Sequence, residues 1–174
     1  SSHDRPVDIL HDGFDCVIRT GALPEDGVIA RPLGKLTMVN CASPHYLTRF
    51  GYPQSPDDLT SHAIVRYTPH LGVHPLGFEV ASVNGVQWFK SGGMLTVNSR
   101  ENYLAAGLAG LGIIQIPRIA VREALRAGRL IEVLPGYRAE PLSLSLVYPQ
   151  RRELSRRVNL FMQWLAGVMK EYLD

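Results

Sequence analysis

The 174-residue sequence predicts an α/β fold. Short apolar, β-branched runs alternate along the chain with helix-patterned segments, an order that implies parallel strand pairing with helices packed on both faces. Several helical segments carry their own start and stop chemistry, most clearly at Ser43-Pro44 and Gly51. Composition is 45% hydrophobic and 20% charged, close to the globular average, so a packed core is expected rather than disorder.

The elements follow in order. Pro6–Asp12 reads as a short helix stopped by Gly13, and Phe14–Ile18 as a buried strand ending at Arg19-Thr20-Gly21. Ala22–Gly27 is a loop, and Val28–Leu33 and Lys35–Cys41 are two further strands. A helix over Pro44–Arg49 follows, then a Pro-punctuated loop, a short helical turn and the strand Ala63–Tyr67. Leu76–Ala81 and Val86–Phe89 read as a hairpin turning at Asn84-Gly85, a strong short-range hairpin signal.

Leu95–Val97 is a short strand that enters a helix at Asn98, where Asn98 and Glu101 have capping-box spacing; that helix runs to about Gly110. Gly112–Ile116 is a strand, Pro117 opens a helix over Arg118–Ala127, and Leu130–Leu134 and Leu142–Tyr148 are strands. The last helix carries Val158, Phe161, Met162, Leu165, Val168, Met169 and Tyr172 at helical spacing, a stripe expected to face a core.

Bulk properties narrow the function classes. A net charge of +2 gives no argument for nucleic acid. Cys16 and Cys41 are isolated, which fits buried, unpaired thiols in a reducing cytoplasm better than a disulfide framework. No apolar run approaches a membrane span, and the polar start SSHDRPVDIL does not read as a signal peptide. The first apolar pattern after Arg5 resembles the middle of a domain, with further strands expected before it.

Catalytic and metal signatures are weak. The histidines form no HExxH helix, and His70 and His74 lie in a Gly/Pro loop with no neighbouring Cys or carboxylate. There is no GxSxG elbow, so the chain is expected to be no enzyme, without metal or cofactor. Gly107–Gly112 superficially suggests a nucleotide loop but follows a helix, where the dinucleotide fingerprint must open one; packing and helix termination explain it. The basic cluster Arg151, Arg152, Arg156 and Arg157 reads as a solvated face.

Binding features are more informative. Asn98-Ser99 at a helix start offers an anion seat, or an ordinary cap. Tyr67-Thr68 ends a strand and supplies a hydroxyl and an aromatic face, or a simple turn. Arg19 could fork a carboxylate or make a structural ion pair.

Four stretches carry a family resemblance: DRPVDILHDGFDCVIRTG from Asp4, CASPHYLTRFGYPQSPDDLTSH from Cys41, the segment Val97–Pro117, and Leu142–Arg157 with its VYPxRRxLSxRV pattern. Together they resemble the effector-binding domain of LysR-type transcriptional regulators, over nearly the whole chain. The resemblance implies a periplasmic-binding-protein-like type 2 fold: two Rossmann-like lobes joined by two crossing strands. Lys35–Cys41 would leave the first lobe and Leu142–Tyr148 would return to it. Residues 1–41 would form a partial first lobe and 42–141 the second. Residues 142–174 would be the return strand and a helix packing on the first lobe. The opening strand–helix–strand of lobe one and the helix-turn-helix are absent from the pattern.

On that template a small-molecule effector, anionic or aromatic, binds between the lobes. The implied site residues are Ser2, Arg19 and Thr20 from the first lobe and Tyr67, Thr68, Asn98 and Ser99 from the second. The implied partners are promoter DNA, through a helix-turn-helix outside this chain, and further copies in a homodimer or homotetramer. The expected location is the cytoplasm, with no membrane partner. The alternative is a periplasmic-type solute-binding protein of a transport system, which would carry a signal peptide upstream where a regulator carries a helix-turn-helix.

Overall fold

A computed structural model describes residues 9, 11–21, 27–68, 77–150 and 154–173. The expected first helix falls mostly outside these residues, as do Ser2, the loop over residues 22–26, and the histidines at 3, 70 and 74. The chain divides into two compact units. One comprises His3–Thr37 with Pro141–Asp174, the other Met38–Glu140.

The first unit is a three-stranded sheet in the order β1 (Val17–Thr20), β10 (Leu142–Pro149), β2 (Val28–Leu36). β10 runs antiparallel to both neighbours, with Val17 opposite Val147 and Leu36 opposite Leu142. The register steps between Leu144 and Ser145, where Pro32 faces Ser145 and Gly34 faces Leu144. A proline in β2 is tolerated there because β2 is an edge strand and the bulge leaves one residue out of the ladder. The expected second and third strands therefore meet differently: β2 runs on through Lys35 to Leu36, and the break falls at Thr37.

In the second unit, β3 (Met38–Ala42) lies between β8 (Ile114–Pro117) and β9 (Ile131–Glu132), again antiparallel to both. The helix α3 (Arg118–Arg126) links β8 to β9. Among the described residues, β4 (Ala63–Tyr67) and β7 (Gly92–Val97) pair in parallel, with a further parallel bridge between Ile64 and Ile113. The expectation of parallel pairing thus holds for β4 with β7 and is corrected for the sheets built around β10 and β3. Each contains two strands of like direction split by a third running the opposite way: β10 between β1 and β2, and β3 between β8 and β9. An antiparallel neighbour needs no crossover helix, so a strand arriving from a distant part of the chain can be inserted this way.

The second unit carries two buried apolar clusters. Successive residues of its strands go to opposite faces, as strand geometry requires. Val39, Cys41, Val65 and Ile114 join Tyr103 and Val121 in one buried cluster, whereas Ala42, Ile64 and Ile113 join Tyr46, Leu59 and Phe78 in another. The helix α1 (Pro44–Phe50) starts as its sequence dictates: Ser43 Oγ accepts the Tyr46 N–H at 3.2 Å, Pro44 occupies the first turn, and Gly51 ends it at φ 81°. The hairpin of β5 (Phe78–Ser82) and β6 (Gly85–Phe89) pairs Ser82 with Gly85, so Val83 and Asn84 form the two-residue turn, and Gly85 takes φ 104°. The turn therefore sits one residue earlier than expected, because Gly85 serves as the first strand residue with positive φ.

The glycine-rich segment after α2 (Arg100–Leu108) is packing, as its position suggested. A Cβ on Gly107 would come 2.6 Å from Ile114 Cδ1, and one on Gly112 would come 2.6 Å from the Ala63 carbonyl oxygen.

The last helix, α4 (Arg156–Met169), begins at Ser155, whose hydroxyl accepts the Val158 N–H. Its apolar stripe is narrower than expected. Val158, Met162, Leu165, Met169 and Tyr172 are buried or half-buried, whereas Phe161 and Val168 are exposed, beside exposed Leu160 and Trp164. At roughly 100° per residue, Phe161 and Val168 lie on the flank of the Met162 ridge.

Candidate functional site

The carboxyl ends of β4 and β7 meet at one place in the second unit. Arg66 stands opposite Thr96 and Tyr67 opposite Val97. The Thr68 N–H then donates to the Val97 carbonyl at 2.9 Å, extending the ladder by one bond. This parallel pairing brings Tyr67-Thr68 beside Asn98-Ser99, two sequence-distant pairs expected to act together. Thr68 is buried, Tyr67 and Ser99 are half-buried and Asn98 is exposed.

The helix start is shifted by one residue from its sequence reading. Ser99, in an extended conformation, is the N-cap of α2, and its Oγ accepts the Asn102 N–H at 3.1 Å. Asn98 does not cap the helix. β7 runs through Val97 and the chain needs Asn98 to leave the strand, so Glu101 falls in the second helical position, one short of a capping box. An acidic residue in the first turn still complements the helix dipole. The Ser99 hydroxyl uses its oxygen for the cap and keeps its proton to donate, while the first helical turn presents N–H groups that the helix itself does not use. The arrangement suits a polar or anionic ligand group.

Behind this surface lies a polar layer that sequence reasoning missed. Tyr103, four residues after Ser99, packs its ring 5.7 Å from that of Tyr67, and its hydroxyl accepts the Gln115 N–H at 2.8 Å. Gln115 on β8 stands directly opposite Asn40 on β3. Its side-chain amide donates to Asn40 Oδ1 at 2.9 Å and to the Glu79 carbonyl at 2.8 Å, and accepts the Glu79 N–H at 3.0 Å. The signal was present: Gln115 and Asn40 interrupt the apolar runs GIIQIP and MVNCA, and a polar side chain inside a buried strand must find partners. Burial holds the Tyr103 phenol well above its ordinary range, so it is neutral and available as donor and acceptor.

Arg19 and Thr20 belong to the first unit. They lie within β1 rather than on a loop, half-buried, opposite Ser145 and Leu144. The strand begins at Val17, three residues later than expected, which draws both residues into the ladder; the next N–H, of Gly21, donates to the Ser143 carbonyl. Ser2 lies outside the described residues. The structure thus gathers Tyr67, Thr68, Asn98 and Ser99 in one unit and keeps Arg19 with Thr20 in the other.

Other reactive groups are spoken for. Cys41 is fully buried, and burial, reinforced by the Glu132 carboxylate, pushes its thiol up to about 12. Glu132 itself binds Arg118 and Arg138, each at 2.6 Å. Among the described residues no three His, Cys, Asp or Glu side chains gather at metal-binding distance, and no helix is long and apolar enough to cross a membrane.

Comparison with known proteins identifies the family and the fold. The family model described as LysR substrate binding domain matches residues 1–170. The HTH-type transcriptional regulator YhjC of Escherichia coli (strain K12) is 99% identical over 174 residues, which are 100% of this chain and 58% of the relative. The HTH-type transcriptional activator AaeR of the same organism is 31% identical over 166 residues, covering 94% of this chain and 52% of that protein. The regulatory domain of CrgA, a LysR-type transcriptional regulator from Neisseria meningitidis, superposes with a TM-score of 0.79 at 25% identity, over 92% of this chain and 78% of that one. The chain therefore spans a little over half the length of the curated relatives it matches. Its fold is that of the LysR regulatory domains, periplasmic-binding-protein-like type 2.

Proposed function

Because this chain belongs to the LysR substrate-binding domain family, we propose that it is the ligand-sensing part of a bacterial LysR-type regulator whose effector contacts Tyr67, Thr68, Asn98 and Ser99. The observation that carries the reading is the Thr68 N–H to Val97 carbonyl bond, which sets a strand-end hydroxyl beside a helix N-terminus. Ligands of open α/β sheets bind at such strand ends, and N–H groups of a helix start favour a carboxylate or similar anion. Arg19 and Thr20, with Ser2, are the proposed contribution of the other lobe. The lobes are proposed as residues 1–41 and 42–141, with 142–174 returning to the first.

In this account the effector favours one lobe arrangement through differential affinity and so repositions DNA-binding domains outside this chain. The whole protein acts in the cytoplasm as a homodimer or homotetramer on promoter DNA, and the domain turns over no substrate. Relatives named as HTH-type regulators support this over the transport reading.

The test uses the full-length regulator. Native mass spectrometry after gentle purification, with a thermal-shift screen of small carboxylates and aromatic acids, should identify a compound that raises Tm. Thr68→Val should reduce that rise at the same ligand concentration. A compound that stabilises Thr68→Val and Ser99→Asp as well as the unaltered protein would place binding elsewhere.

A further inference from the structure

We propose that Gln115 and Asn40 are positioning residues that couple the Thr68–Ser99 seat to the two points where the chain leaves the second unit. The proposal rests on the effector reading for its purpose, but its physical content is independent of any ligand.

The path is continuous and short. α2 carries Ser99 at its start and Tyr103 one turn later, the Tyr103 N–H donating to the Ser99 carbonyl at 3.0 Å. The Tyr103 hydroxyl holds the Gln115 N–H. The Gln115 side-chain amide then grips the main chain of Glu79 from both sides, as a neighbouring strand would, and spends its remaining bond on Asn40. Asn40 is fully buried and uses its whole amide: Oδ1 accepts from Gln115, while Nδ2 donates to the Leu134 carbonyl at 3.1 Å and the Tyr137 carbonyl at 2.9 Å.

Both exits from the unit hang on this layer. The outgoing one is β3, where Asn40 is two residues from Met38, the first residue of the unit. The returning one is the segment from Val133 to Glu140. The Val133 N–H donates to the Asn40 carbonyl at 2.9 Å, and the Arg138 carbonyl accepts the Ala81 N–H at 2.8 Å. At the last residue of the unit, the Glu140 N–H donates to Glu79 Oε1 at 3.0 Å. Within this segment Leu134 is, among the described residues, the only non-glycine at positive φ, 48°. Such a conformation persists only where its surroundings hold it, and here the Leu134 carbonyl accepts both the Asn40 amide at 3.1 Å and the Tyr137 N–H at 2.9 Å.

A shift of α2 toward or away from a ligand therefore moves the Tyr103 hydroxyl against Gln115, and Gln115 cannot move without disturbing Asn40 and Glu79 together. A buried amide network with no spare donors has few alternative arrangements, which makes it a stiff link rather than a soft one. Physical continuity motivates the coupling; energetic coupling is what must be measured.

The experiment is amide hydrogen exchange by mass spectrometry on the full-length regulator without effector. Tyr103→Phe removes one hydroxyl and keeps the ring. Val121→Ala, in the same core cluster but outside the network, supplies a destabilised control. Each variant's exchange is compared after correction for its global stability from urea unfolding. Tyr103→Phe should speed exchange of Val133 and Glu140 by about tenfold, the consequence of one buried donor losing its acceptor. Val121→Ala should leave these amides unchanged after correction. Equal rates in the two variants, or acceleration confined to α2 and β8, would overturn the coupling. Because no ligand is present, that failure is distinct from failure of the thermal-shift screen, which bears on the effector site alone.

Discussion

The hydroxyl of Tyr46 lies 3.0 Å from Nδ1 of His62, in the interior of the second unit, and also accepts the Ala63 N–H at 2.9 Å. One phenol thus ties α1 to the start of β4. His62 is buried, and that burial lowers its pKa, partly opposed by the nearby Asp58 carboxylate.

The pH dependence follows from that shift. The unfolded chain takes up a His62 proton near pH 6.5, whereas the folded protein resists it to a lower pH. The unfolded state therefore binds more protons as pH falls below about 6.5, and stability falls with it. Urea midpoints measured at pH 7.5 and 5.5 should differ in the unaltered protein and differ less in His62→Gln. Asp58 acts in another window: the Gln54 and Ser55 N–H groups hold its carboxyl low, so its contribution is present above the ordinary carboxylate range and is lost as pH falls below it. A pH slope between 5.5 and 7.5 that survives His62→Gln would assign the effect to another group.

The cap at Ser99 gives a second expectation. Ser99→Ala removes the acceptor of the Asn102 N–H, and Asn98 is not placed to replace it. Stability should fall by about 1 kcal/mol, the usual worth of a Ser cap. Ser99→Asp keeps an acceptor at the same place and should hold the unfolding free energy within roughly a few tenths of a kcal/mol of the unaltered protein. Equal loss in both would mean that the cap contributes little and the hydroxyl donates elsewhere.

Thiol chemistry separates the two cysteines. Both are unpaired; Cys41 is fully buried and Cys16 half-buried. Burial, with Asp15 adding to it, also raises the Cys16 thiol. With iodoacetamide at pH 8, native protein should be alkylated slowly, at Cys16 ahead of Cys41, and urea should release two thiols without reductant. Reaction at Cys41 at the rate of a free peptide thiol would contradict its burial.

Much of this was readable in the residues because the signals were local. Ser43-Pro44 with Gly51 marked α1, Pro117 marked α3, and the motif order marked the family. What escaped was long-range. Nothing in Leu142–Pro149 announces that it will lie between β1 and β2, since strand direction depends on where the chain has travelled, not on the strand's own pattern. The same limit hid the hydrogen-bonded layer of Asn40, Gln115 and Tyr103, whose members are 75 and 12 residues apart in sequence. Each looked like an isolated polar residue in an apolar run. The one-residue error at Asn98 has a simpler origin: Asn and Ser are both good caps, and only the end of β7 decides between them. The stripe on α4 was legible in period but not in width, because periodicity does not tell how much of a helix face its neighbours cover.

The central claim, that Thr68 and Ser99 hold the effector, is tested most directly by calorimetry of the full-length regulator with the compound recovered or selected by thermal shift. Losing a hydrogen bond to a charged ligand group costs about 1.5–3 kcal/mol, so Thr68→Val should weaken binding by about ten- to a hundredfold. Ser99→Asp, which keeps the helix capped but sets a negative charge at the seat, should weaken an anionic ligand at least as much with little change in Tm. Unchanged Kd in both variants would contradict the account and put the ligand at some other place on the protein.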